Sequence, residues 1–190
     1  MTDRSKTNQR DISVTNGDVA GRDVTKSTYV FNGPVSPMTR LCIDFLEESI
    51  ETDDVAQILP ELKHYMKNVD SDKVIGLEAK LTAANREIEI DDAMRQKELL
   101  TKRLHQNATS KSAQRIYAHV LGMLLNKFRA HVKPLIEKGA NKADIDTAAI
   151  SNVIEPTMTN LEQNVLDMYW DDLWGMIYYL TGNCHIKWAK

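Results

Sequence analysis

Glycine and proline are scarce in this sequence, at 8 and 5 of 190 residues. That excludes a collagen-like repeat and a long low-complexity chain. Cysteine is scarcer still, with only Cys42 and Cys184, far apart. Two thiols make neither a disulfide framework nor a four-cysteine zinc cluster, and they fit a reducing compartment. No run is apolar enough to span a bilayer. The richest, Val165 to Leu180, is interrupted by Asp167, Asp171 and Asp172. Met1 to Lys6 hold no apolar stretch, so a signal peptide is not expected. A positive excess is also missing. The net charge of -3 argues against coating nucleic acid with the whole chain and leaves only a local basic face open. The expectation is a cytoplasmic protein with no membrane partner. With 42% hydrophobic and 27% charged residues, the chain can bury a core without a staple, as one domain or one plus a small appendage.

The hydrophobic period changes near Pro34 and Pro37. Before it, Ile12 and Val14 alternate with polar neighbours, Asn16-Gly17 suits a hairpin turn, and Val19, Val24, Tyr29 and Phe31 add β-branched and aromatic residues. So short a β element cannot bury its own apolar face. Pairing with copies of itself closes the exposed edges, so residues 1–33 are read as an oligomerisation element using Ile12, Val14, Val19, Val24, Tyr29 and Phe31. The alternative is a tail docked on its own helical domain.

From residue 34 to 190 the pattern is helical. Ser36-Pro37 reads as a cap followed by a first-turn proline. Ile58, Leu59 and Leu62 mark a short helix with a kink at Pro60. Ser71-Asp72 can cap a long third helix, in which Val74, Leu77, Leu81, Ala84 and Ile88 form a heptad-like seam. An amphipathic helix over 112–137 places Ile116, Val120, Leu124, Phe128 and Leu135 on one face, with His131 as a core histidine. Gly139 and Asn141 end it. A further helix stops near Pro156, and a last one runs from Leu161 to Leu180. The fold class is therefore mainly α: a multi-helix bundle with one long helix and a small N-terminal β element.

No phosphate-binding glycine loop, HExxH or GxSxG is present. Asp91-Asp92 and Asp171-Asp172 point about 100° apart on a helix, so neither pair alone converges on a metal. No cofactor, metal or catalytic residue is expected. Cys184-His185 is the most reactive-looking dipeptide, and the basic helix 111–136 is the most distinctive surface. It carries Lys111, Arg115, Lys127, Arg129 and Lys133 and no acid. Arg115, His119, Arg129 and Lys133 are its candidate surface for a protein partner or nucleic acid.

Gly175 to Trp188, with Gly175, Thr181, Gly182, Asn183, Cys184, His185 and Trp188 as its motif residues, resembles the terminal signature of the C-terminal domains of bacterial ABC-three-component systems. Arg115 to Gly122, followed by Asn126-Lys127-Phe128, resembles a second part of that domain, and the resemblance covers residues 72–190. Asn16 to Val24 is similar to a short β motif at the ends of bacterial conflict proteins. The resemblance implies a helical domain that serves varied effectors beside an SMC-like ATPase in anti-phage conflict systems. No effector domain fits in the remaining residues, which departs from that pattern.

The expected function is therefore a non-enzymatic, protein-binding adaptor or sensor in anti-phage defence. It would be a homo-oligomeric, stand-alone module of the kind a prophage carries, binding a phage or host protein. The alternatives are a nucleic-acid binder using helix 111–136, which would interfere with phage DNA replication, and an enzyme with Cys184 as nucleophile.

Overall fold

Several helix starts in this chain are set by residues that satisfy the first backbone N–H groups or lack one. In the computed structural model, residues 35–48, 57–69 and 74–190 are described, all within one unit, Val35–Lys190. Helix α1 (Pro37–Glu47) starts with Ser36, whose Oγ accepts from the Thr39 N–H at 3.0 Å. Helix α2 (Pro60–Met66) is opened by Pro60, which occupies the first turn instead of kinking the helix as expected. Helices α3 (Leu77–Thr82) and α4 (Ile90–Gln106) come next in the chain. Ser110 caps α5 (Lys111–Lys127) by accepting from the Ala113 N–H at 3.0 Å. Beyond it lie α6 (Lys133–Lys138), α7 (Lys142–Ala149), α8 (Glu155–Thr159) and α9 (Trp170–Gly182). Gly139, at φ 75°, closes α6, and Asn141 caps α7 by accepting from the Asp144 N–H at 2.9 Å. The described residues are mainly helical and include no strand. The β element expected over residues 1–33 lies outside them.

Two prolines do not break their helices. Pro134 and Pro156 each come after a π-turn, Phe128–Val132 and Ile150–Ile154. In each, the residue before proline donates its N–H five residues back, Lys133 to Phe128 and Glu155 to Ile150. A proline ring collides with the carbonyl four residues earlier, and the wide turn makes room for it. The helix expected to stop near Pro156 therefore continues to Thr159. The first π-turn also takes up one extra residue and so rotates the helix beyond it. Val132 and Ile136 are buried, Leu135 is only half-buried, and His131, expected in the core, is exposed.

The expected long third helix is broken. Residues 83–85 form a turn, Asn85 adopts a left-handed φ of 53°, and a short 3-10 turn, Glu87–Glu89, leads into α4. Arg86, beside that break, is buried, where it meets Glu89 at 3.0 Å and Asp146 of α7. Only Leu77 and Leu81 of the heptad-like seam are buried, and Ile88 is 87% exposed. The last helix is shorter than expected at its start. Glu162, Asn164 and Asp167 take left-handed φ values, so residues 160–169 form turns before Trp170.

Helix α9 is the most apolar element. Leu173, Met176, Ile177 and Leu180 are all fully buried. It lies antiparallel against α4, as the contacts of Arg103 with Asp172 (2.7 Å) and of Lys97 beside Gly182 show. Gly175 sets the spacing of the pair. A Cβ there would stand 2.7 Å from the Gln96 carbonyl oxygen, a backbone atom that cannot swing away. Helix α5 fills the other side of the core and touches α1, α2, α8 and α9.

Gly175→Ala is expected to destabilise the fold by about 1–3 kcal/mol through overpacking against α4. Ile88→Ala, on solvent, is expected to stay within about 0.5 kcal/mol of the parent. Urea midpoints of the two variants check both values.

Candidate functional site

The residues singled out at the C-terminus build a turn that folds the tail back over the helices. After α9, Cys184 takes a left-handed φ of 66°. The His185 N–H then donates to the Leu180 carbonyl at 2.8 Å, and the Ile186 N–H reaches the same oxygen at 3.3 Å. Thr181 serves twice. Its hydroxyl donates to the Ile177 carbonyl at 2.8 Å and accepts the Trp188 indole N–H at 3.0 Å. The Trp188 ring meets Phe128 edge to face, with centroids 5.0 Å apart, and the Arg86 guanidinium lies 4.4 Å from its centroid. The buried tail is thus hydrogen-bonded, packed and charge-matched at one residue.

The same turn grips α2 and the segment after it. Asn183 donates its amide N–H to the Tyr65 carbonyl at 3.0 Å, and its own carbonyl accepts from the Val69 N–H at 3.2 Å. The Tyr65 hydroxyl lies 2.9 Å from where a Cβ on Gly122 would stand, so the bare backbone of α5 gives that ring its space. His185 closes the group, with its ring 5.5 Å from His64 and 5.8 Å from Tyr65. Its Nε2 is buried without a hydrogen-bond partner. Burial first, and then the neighbouring His64, holds the imidazole below the ordinary histidine range.

Residues 76–188 match the family model of C-terminal domain 9 of the ABC-three component (ABC-3C) systems. The chain belongs to this ABC-3C domain family. No curated protein and no solved structure matches it. The membership suggests a role in anti-phage defence. The short β motif at Asn16 to Val24 lies outside the matched span and outside the described residues.

Both family-like segments of this ABC-3C domain meet at α2, which itself precedes the matched span. Gly122 and Asn183 seat it, Thr181 and Trp188 hold the tail, and Gly175 sets the α4–α9 spacing. At Gly182 a Cβ would meet only the flexible end of Lys97, at 2.7 Å. The chemical work of these residues is packing and hydrogen bonding. Among the described residues, no group of three or more His, Cys, Asp or Glu could hold a metal. No described helix is long and apolar enough to cross a membrane.

The basic face divides in two. Arg115 is exposed near the start of α5, and His119, one turn on, is half-buried, with burial lowering its pKa. Arg129 and Lys133 are exposed at the far end, across the π-turn. They line a cleft of about 580 Å³ together with the tail, including Cys184, His185 and Lys187. Val69, Arg86 and Tyr65 are not visible as site residues in the sequence. They carry no periodic signal, and their partners lie far along the chain. One weak sign points to the tail's part: residues 173–190 contain Lys187 and Lys190 and no acid.

Two outcomes are expected. Thr181→Val leaves the Trp188 N–H buried without an acceptor and should cost about 1–3 kcal/mol by urea unfolding. The second concerns pH. The unfolded chain binds more protons than the folded one as pH falls below 6.5, the ordinary histidine value. Stability from this group is fully present above that pH and is lost below it, until the buried imidazole also protonates. His185→Asn should flatten this part of the stability curve, read as the difference between wild-type and variant urea midpoints from neutral pH downward.

Proposed function

We propose that this chain is a non-enzymatic adaptor or sensor in anti-phage defence, which binds a phage or host protein. The observation that carries the reading is the match of residues 76–188 to a domain of ABC-three component systems. The geometry supports a binding role. The motif residues hold the tail and seat α2, and Cys184 is buried in a strained turn with His185 as its chain neighbour. A nucleophile and its base need to meet within hydrogen-bond reach, whereas His185 packs by His64 and Tyr65. Residues 1–33 would assemble the adaptor into a homo-oligomer, and the ATPase of such systems would be a neighbour. The exposure of Arg115, Arg129 and Lys133 favours a second reading, nucleic-acid binding through helix 111–136.

In cells carrying the complete defence locus, Cys184→Ala is expected to keep protection against phage, with helicity confirmed by circular dichroism. Loss of protection in the folded variant would favour a Cys-dependent enzyme. Light scattering should show a closed oligomer for the full chain and a smaller species without residues 1–33. Monomers in both cases would remove the oligomer from the reading. Steeply salt-dependent DNA binding, lost on charge reversal at Arg115, Arg129 and Lys133, would favour the second reading.

A further inference from the structure

The cleft beside the folded-back tail combines a cationic rim with an apolar floor. Phe128, Ile136 and Ile186 give it a buried apolar lining, and Val69 adds a half-open edge. Arg129 and Lys133, one turn apart, stand on the α5–α6 side, and Lys187 on the tail side. The Lys190 ammonium lies at the carbonyl end of α6, beside Gly139. Among the described residues, Glu137 is the one carboxylate side chain in the lining. It pairs with Lys133 at 3.5 Å, but both side chains are about 60% exposed, so water screens the pair and it is easily exchanged. Arg129 makes no ion pair among the described residues.

From this charge pattern we infer that the cleft docks a short acidic segment of a partner protein, with an apolar side chain on the floor and carboxylates on Arg129 and Lys133. The cleft's volume, about 580 Å³, is in the range of a ligand pocket and takes a few residues of chain. The guanidinium of Arg129 suits carboxylate recognition by paired N–H donors. A bare anion would leave the apolar floor unused. A single strand of nucleic acid would want a free aromatic face for its bases, and the Phe128 ring is already engaged by Trp188.

The inference deepens the adaptor reading and rests on it, yet the two fail separately. The assay uses the purified full chain and a fluorescein-labelled octapeptide of glutamate and leucine, monitored by anisotropy. The controls are its glutamine-for-glutamate twin and an oligothymidine. The acidic peptide should bind and the twin should not. Arg129→Glu with Lys133→Glu, both on solvent, should weaken binding by about tenfold or more, while Arg115→Glu changes it less than about twofold. Glu137→Gln, which removes the competing carboxylate, should tighten it. Failure of the acidic peptide to bind, equal loss with Arg115→Glu, or tighter binding of oligothymidine would overturn the cleft assignment. Phage protection retained by the Arg129→Glu, Lys133→Glu chain would leave the adaptor standing without the cleft.

Discussion

The indole of Trp188, hydrogen-bonded to Thr181 and packed against Phe128 and Arg86, decides where the chain goes after α9. Everything at the candidate site depends on that path. A tail held there passes its backbone over the π-turn of α5, brings Asn183 to Tyr65 and Val69, and puts Lys187 opposite Arg129 and Lys133. Arg86 ties the same point to the turn before α4 through Glu89 and to α7 through Asp146, and Lys142 joins Glu89 at 2.5 Å. A buried guanidinium needs such partners, because without them its desolvation would oppose folding. The indole and the ion network therefore hold each other in place.

The π-turns are the second device that shapes the surface. Pro134 would end a regular helix, yet here α5 runs on into α6 with a changed register. The change turns His131 to solvent and Ile136 inward. It also leaves Arg129 and Lys133 on the side facing the tail, at the lip of the cleft. The same spacing of π-turn and proline recurs at Pro156. A local backbone adjustment thus converts an amphipathic helix into one wall of a binding surface.

Local signals are readable in the sequence where the partner lies in the same turn. Ser36, Gly139 and Asn141 mark boundaries by capping of that kind. The family resemblance at Gly175 to Trp188 is readable as a pattern, though its role as a clamp depends on Tyr65, Phe128 and Arg86, far along the chain. The break after α3 is not readable, because the apolar spacing runs on to Ile88 while the cause is Arg86 meeting Asp146 sixty residues away. The phase of His131 is hidden for a related reason. Helical periodicity carries no mark of the π-turn that makes room for Pro134, so a regular helix puts His131 on the wrong face. The cations of the cleft are visible as a basic helix, but their opposing wall comes from the chain end.

The clamp also explains why segments far apart in the sequence belong to one site. Helix α2 precedes the matched domain, and the domain holds it through Gly122, Asn183 and His185. A domain that seats the preceding segment in this way is expected to pass a change at α2 on to its tail. Hydrogen exchange on Trp188→Ala tests this coupling most directly. Residues 183–190 and 59–69 are predicted to lose protection together while α4 and α9 keep theirs. Loss confined to the last few residues, with α2 unchanged, would contradict the coupling.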